Sequence, residues 1–457
     1  MTTRHLDLRR GVYRDSVQLL QVSQVLRGVP GVSAALVAMA TELNLDLAAG
    51  MGFTPPSGAT PNDLVVAVGA EDESVLATAL ERLDAALGGT ARSDDRPTGT
   101  PPRSVGTAVR RASADVVLVS TPGRYAVLDA LDALDAGASV MVFSDNVPVA
   151  QEVLLKERAA ERGLLVMGPD CGTAVLGGVG LGFANVVPPG PVGLVAASGT
   201  GAQQVMCLLD AAGVGVSHCL GVGGRDLSAA VAGRSTIAAL DALDADPVTD
   251  LIVLVSKPAD PEVAARVGKH AAALRTPVVS ALLGPGQPDL TAAVARVLDA
   301  LGRAVPSWPS WRPASATPSR PGLVHGLFAG GTLRDEAAGI IGERGRLVDL
   351  GADEYTLGRP HPMIDNTLRL EQFAAAAADP SCGVLLLDVV LGYAADPDPA
   401  ATLAPAIATC GVPVVVALIG TVGDPQGLPR QAEALRDAGA TVFLSNAEAA
   451  RYAAALR

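Results

Sequence analysis

Four stretches of the chain carry residues suited to chemistry. Ala197-Ser198-Gly199-Thr200-Gly201 follows the apolar run from Val192 to Ala196 and precedes a helical pattern from Ala202. That order puts backbone amides and two hydroxyls at a helix N-terminus, where the helix dipole favours an anion. A plain N-cap by Ser198 or Thr200 accounts for the same residues. Ala329-Gly330-Gly331-Thr332, after Leu323 to Phe328, repeats the arrangement: strand, glycines, hydroxyl, helix. Two such helix starts could aim at one anion. Gly221-Val222-Gly223-Gly224-Arg225-Asp226 closes another apolar run. There Arg225, held by Asp226, is suited to a two-pronged grip on phosphate or carboxylate, the alternative being an ordinary surface salt bridge. Lys257 directly follows the run Leu251 to Val255, either as an anion ligand at the same sheet edge or as a solvated loop lysine.

A further polar stretch runs from Asp349-Leu350-Gly351-Ala352-Asp353-Glu354-Tyr355 to Gly358-Arg359-Pro360-His361-Pro362-Met363-Ile364-Asp365. Two prolines stiffen the segment that presents Arg359, His361 and Asp365. His361 is a candidate general acid or base, or a hydrogen-bond donor to an oxyanion. Asp388, ending the strand from Val384 to Leu387, completes the polar set. Cys171 invites a nucleophile reading, but no base can be assigned to it, and a structural role is expected. The five cysteines show no C-x-x-C spacing and no histidine pair sits at helical i, i+4 spacing, so no metal site is expected.

These residues need elements to position them. In an open parallel sheet, ligands bind at the carboxyl ends of the strands. The chain has 457 residues, 49% hydrophobic and 18% charged, which excludes a disordered chain. Its length suggests roughly two to four domains. A net charge of −13 argues against nucleic acid or an anionic membrane surface as partner, while leaving small anions open, since a few backbone amides bind phosphate whatever the net charge. Only three lysines occur (Lys156, Lys257, Lys269), and no Walker loop can be drawn. No apolar leader or span of about twenty apolar residues appears, so a cytoplasmic protein is expected.

Organisation follows from composition. A small α+β, ferredoxin-like domain is expected over 1–87, a linker over 88–106 and a Rossmann domain over 107–187. A second doubly wound α/β domain over 188–302, a Pro-rich linker over 303–321 and a third α/β domain over 322–457 complete the chain. The continuous apolar runs read as parallel strands buried on both faces. Asp15 and Ser16 read as a cap of the first helix.

The stretches GLLVMGPDCGTA, GFANVV, ASGTGAQQ, GVGGRDLS, VSKP, GGTLRDEA, DLGADEYTLGRPHPMID and LLLDVVLGYAADPDP occur in this order, after DSVQLL and ATPNDLVVAV. Together they closely resemble the FdrA proteins, relatives of succinyl-CoA synthetase. The resemblance implies a CoA-binding-type domain followed by two ligase-type flavodoxin-like domains, whose paired helix N-termini hold one phosphate. Ser198 to Gly201 and Gly330 to Thr332 fall where those helices start. The synthetases carry a phosphorylated histidine after the strand corresponding to Val278–Leu282, where this chain runs Leu283-Gly284-Pro285-Gly286-Gln287. That departure speaks against ATP-driven CoA ligation; FdrA-type proteins resemble instead a component of oxamate carbamoyltransferase in allantoin breakdown, and the resemblance implies that role. Phosphate or carbamoyl phosphate would be its substrate and other transferase subunits its partners. No resident cofactor is implied. Binding of CoA, an acyl-CoA synthetase activity and a non-catalytic assembly role remain as alternatives.

Overall fold

The computed structural model describes residues 3–12, 14, 16–56, 58–88, 101–315, 317–318, 320–356 and 359–456. The capping side chains expected at Asp15 and Ser16, Gly358, and most of the 88–106 linker lie outside the described residues. Contacts divide the chain into two units: Met1–Pro101 with Asp353–Asp365, and Pro102–Ala352 with Asn366–Arg457.

The first unit runs β1 (Thr3–Arg9), α1 (Ser16–Arg27), β2 (Val32–Met39), α2 (Glu42–Gly50), β3 (Leu64–Ala70) and α3 (Glu73–Gly88). The three strands form an antiparallel sheet in the order β1-β3-β2. All seven residues of β3 are buried, and alternate side chains point to opposite faces. Val66 and Val68 pack with Leu19, Leu26 and Leu83 of α1 and α3. Val65 and Ala67 pack with Ala48 and Phe53 on the other face. Two-sided burial explains why β3 reads as one continuous apolar run.

The second unit opens with α4 (Val105–Ala112), β4 (Val116–Val119), α5 (Gly123–Asp135), β5 (Ser139–Val142), α6 (Val149–Ala160) and β6 (Val166–Met167). These strands make a three-stranded parallel sheet. Next come β7 (Thr173–Leu176), β8 (Val179–Gly182), β9 (Val192–Ala197), α7 (Gly199–Ala211), β10 (Val216–Gly221), α8 (Arg234–Ala245), β11 (Leu251–Ser256), α9 (Pro261–Ala271), β12 (Val278–Leu282) and α10 (Leu290–Ala300). They build a six-stranded sheet in the order β12-β11-β9-β10-β7-β8. The last part comprises β13 (Ser310–Trp311), β14 (Leu323–Phe328), α11 (Gly331–Ile341), β15 (Gly345–Asp349), α13 (Thr367–Ala378), β16 (Cys382–Val390), α14 (Pro399–Ala408), β17 (Val414–Ile419), α15 (Leu428–Asp437), β18 (Thr441–Phe443) and α16 (Asn446–Ala455), while the intervening α12 (Asp353–Thr356) belongs to the first unit. Its sheet order is β13-β18-β17-β16-β14-β15.

Strand pairing departs from the expected boundaries in two places. The β7–β8 hairpin precedes residue 187, yet β7 pairs antiparallel with β10 and extends the next sheet. β13 lies in the expected 303–321 linker, yet it pairs with β18 as an edge strand. Strands of two to four residues are too short for a hydrophobic period to show in sequence.

The two six-stranded sheets are joined by a buried polar seam. The Gln204 side chain donates to Leu444 O at 3.1 Å and accepts from Asn446 N at 2.8 Å. Thr291 and Ser445 hydroxyls lie 2.7 Å apart. Glu336 accepts from Leu290 N at 2.6 Å and from Asn446 Nδ2 at 2.7 Å. Burial nevertheless pushes its carboxyl up from 4.5 to about 7. A folded value above the unfolded one means that the native state holds the proton longer. That contribution to stability is fully present below 4.5 and is lost as pH rises through 7. The denaturation midpoint is expected to fall between pH 6 and pH 8, and Glu336→Gln to flatten that slope.

Candidate anion site at two helix starts

The strands β9, β11, β14 and β15 are parallel within their sheets and end at Ala197, Ser256, Phe328 and Asp349. Their carboxyl ends deliver the expected stretches to one place. Ser198 caps α7 by accepting from Gly201 N at 2.9 Å, and it donates to the Thr332 hydroxyl at 2.6 Å. Both side chains are buried. The start of α7 therefore meets the start of α11. Gly330 packs so closely on Thr200 that a β-carbon there would collide with the threonine side chain. At Gly331 a β-carbon would lie 2.5 Å from Asp349 Oδ2 and 3.0 Å from Lys257 Nζ. Glycine at 330 is thus required by close approach across the junction, whereas at 331 a β-carbon would displace the mobile ends of two side chains.

Lys257 reaches this junction, and its ammonium has no hydrogen-bond or ion-pair partner among the described residues. A cation beside the positive end of a helix is electrostatically unfavourable on its own. Early amides of a helix also lack in-helix acceptors. In the first turn of α7 the Gly201 amide is taken by Ser198, while the Gly199 and Thr200 amides have no acceptor among the described residues. Two helix starts, an ammonium and hydroxyls converging on one spot form an arrangement that an anion would complete.

Other expected members have different jobs. Asp388 is fully buried, accepting from Ala329 N at 2.7 Å and Gly330 N at 2.9 Å. Arg369, a residue the sequence reading did not single out, donates to Asp388 Oδ1 at 3.1 Å and to its backbone carbonyl. Burial raises the Asp388 carboxyl to about 6 despite that arginine. Asp388 is therefore a correction: it shapes the Ala329–Gly330 turn and already occupies two of its amides.

The Arg225–Asp226 pair is a second correction. Asp226 is fully buried and turned away from Arg225. It accepts from Lys156 Nζ at 2.7 Å, from the Ser235 and Thr236 amides at 3.1 and 2.8 Å, and from the Thr236 hydroxyl at 2.6 Å. Lys156 also bonds Glu152 at 2.8 Å and Val222 O at 3.0 Å. Arg225 pairs instead with Glu152 at 2.9 Å and donates to Val147 O at 2.8 Å. Gly223 has φ +92 and a β-carbon there would collide with Pro169 O, while Gly224 is exposed. The turn docks β10 onto the preceding domain. Arg225→Ala is accordingly expected to leave phosphate affinity within about twofold, as a substitution outside the site, checked by titration calorimetry.

Arg359, His361 and Asp365 fall in the first unit. Asp365 forms an ion pair with Arg27 at 2.7 Å. Met363 N donates to His361 Nδ1 at 3.2 Å, which leaves Nε2 to carry the hydrogen of the neutral ring. The second unit's own histidines are engaged elsewhere: His218 with Gly177 N, His270 with Asp241, His325 beside Ser381. Cys171 is buried and its thiol is pushed up to about 12 by desolvation, which fits the structural role expected of it.

Comparison with known proteins adds family context. Residues 1–102 match the "AllF, heavy metal-associated domain" family, and residues 327–456 match the CoA-ligase family. The chain is 33% identical over 447 residues to the uncharacterized protein YahF of Escherichia coli, covering 86% of this chain and 85% of that protein. It is 31% identical to the ADP-forming succinate–CoA ligase subunit alpha 2 of Archaeoglobus fulgidus, over 40% of this chain and 63% of that subunit. Among solved structures, a dinucleotide-forming acetyl-coenzyme A synthetase 1 of Ca. Korarchaeum cryptofilum aligns at 18% identity and a TM-score of 0.30, covering 75% of this chain and 82% of that one. The residues of 1–102 do not fit a heavy-metal ion: the first cysteine of the chain is Cys171, and His5 is the lone histidine there. Among the described residues no group of three or more His, Cys, Asp or Glu could hold a metal. Among them, too, no helix is long and apolar enough to cross a membrane.

Proposed function

The chain belongs to the family of YahF, an FdrA-type group related to succinyl-CoA synthetase, and from that premise we propose that it is the phosphate-handling subunit of a group-transfer enzyme. The observation that carries this reading is the meeting of the α7 and α11 starts, with Ser198 bonded to Thr332 and Lys257 beside Gly331. Phosphate would lie against the Gly199, Thr200, Gly331 and Thr332 region with Lys257 as its cation.

The finer reading is carbamoyl transfer. A phosphate oxygen attacks the terminal carbamoyl carbon of oxalurate, and the tetrahedral oxyanion is met by fixed amides. The C–N bond then breaks and the nitrogen takes a proton, giving oxamate and carbamoyl phosphate. No phosphorylated side chain is needed, consistent with the histidine-free stretch Leu283 to Gln287 after β12. Catalytic groups for the acceptor would be completed by partner subunits, so a hetero-oligomer is part of the proposal. Acyl-CoA ligation is the second reading, favoured by the CoA-ligase match over residues 327–456. Incubating the chain, alone and with proteins encoded beside it, with oxamate and carbamoyl phosphate should yield oxalurate and phosphate. Failure in every combination, together with acyl-CoA formation from ATP, acid and CoA, would establish the second reading instead.

A further inference from the structure

Val179, Tyr393 and Val422 are 62%, 49% and 71% exposed, and they come from β8, the loop after β16 and the loop after β17. All three border the segment from Ala184 to Val187. Val179 and Tyr393 wall a groove of about 340 Å³ together with Val175, Val186 and Val187. Tyr393 N donates to Ala184 O at 2.9 Å. Val422 stands between Thr421, whose hydroxyl donates to Val186 O at 2.7 Å, and Gly423, where a β-carbon would lie 3.0 Å from the Val186 side chain. Exposed apolar side chains grouped in this way mark an interaction surface.

The surface rests on a fixed base. Asn185 Nδ2 donates to Leu391 O at 3.0 Å and to Asp424 Oδ2 at 2.8 Å, while Asp424 Oδ1 accepts from Val186 N at 2.7 Å. Little ordering is left to be done when a partner arrives. Beside the groove runs a bare strand edge: β8 is last in its sheet, with no strand on its outer side among the described residues. Exposed edges are normally blunted by charges or proline, and Val179–Gly182 (VGLG) carries neither.

Charge selects the occupant. Residues 171–209, 389–395 and 399–423, which build this face, contain no charged residue, whereas the chain as a whole carries −13. Asp396 and Asp424, at the borders of these stretches, are buried. A basic partner would be drawn to the acidic surface elsewhere, while two copies of an acidic chain meet with least repulsion at a neutral face. A free antiparallel edge is also self-complementary about a two-fold axis. We propose that the β8 edge and the groove beside it form an interface between two copies of this chain, with β8 paired antiparallel to β8 of the second copy. The proposal is independent of the phosphate site.

Sedimentation velocity of the chain should show a particle of twice its 46.0 kDa mass. Val179→Asp sets two like charges close together across the axis and should weaken the dimer about 100-fold or more. Leu128→Asp, at a comparably exposed apolar position on α5, should leave it intact. Both positions are exposed, so neither change disturbs a core, and circular dichroism checks that both variants stay folded. Hydrogen exchange should find the outward amides of β8 protected in the wild type and unprotected in Val179→Asp. A chain that is monomeric at about 100 µM, roughly 100-fold above a micromolar dissociation constant, overturns the proposal. So does a dimer that persists in Val179→Asp, or one that Leu128→Asp dissolves equally. A chain that stays monomeric alone yet captures a different protein through Val179 would give the face to that protein and overturn the second copy as its occupant.

Discussion

Arg369→Ala is expected to lower the stability of the second unit by about 3–5 kcal/mol, the cost of leaving one member of a buried ion pair without its partner. Arg369 is 2% exposed and Asp388 0%. The guanidinium holds both the carboxylate and the backbone carbonyl of Asp388, and the carboxylate in turn holds the Ala329 and Gly330 amides. Without the arginine, Asp388 keeps its two amides but loses the only counter-charge it bonds to among the described residues. Its carboxyl, already raised to about 6 by burial, should rise further. A folded value above the unfolded 3.8 means that ionisation disfavours the fold. The loss in Arg369→Ala should therefore be larger at pH 8 than at pH 5. Denaturant midpoints at the two pH values check both statements. A loss below about 1 kcal/mol, the range of exposed pairs, would mean that the pair does not hold the α11 turn.

Lys257→Ala should act in the opposite way, sparing stability and removing function. The ammonium makes no hydrogen bond or ion pair with the described residues, and its deletion takes away the longer-range attraction to the partly exposed Asp349 carboxylate, a small term in stability. Hydrogen bonds to charged groups are worth about 1.5–3 kcal/mol. That corresponds to about a 10- to 150-fold weaker phosphate affinity, with the melting temperature of the ligand-free chain unchanged within about a degree. Lysine to arginine would not restore the site fully, because the planar guanidinium is larger and Gly331 lies against the ammonium.

Much of this architecture was legible in the sequence because parallel strands buried on both faces appear as unbroken apolar runs. β9, β11, β14, β16 and β17 all stand where such runs stood, and the residues after β9, β11 and β14 reach one junction as the sheet rule requires. What escaped was what has no local signal. β7, β8 and β13 are four residues or shorter. Arg369 lies in the helical stretch TLRLEQF, where an arginine reads as a solvated face, and its partner is 19 residues away. Lys156 and Asp226 are 70 residues apart. Adjacency misled at Arg225 and Asp226, since neighbours in a turn project to different sides: one meets Glu152, the other caps α8 from inside. Asp349 was visible as a residue but not as part of the junction, because only the fold brings the end of β15 beside the start of α11.

The central claim is that one anion is shared by two helix starts from two different sheets. Calorimetric titration of inorganic phosphate into the chain tests it most directly, with one change at the start of α7 and one at the cation that faces the start of α11. Gly199→Pro removes an amide at the first position of α7, where proline is compatible with the helix, and Lys257→Ala removes the cation beside α11. One phosphate per chain, weakened about tenfold or more by either change alone, is the expected result. Phosphate binding that survives both changes would contradict the shared site.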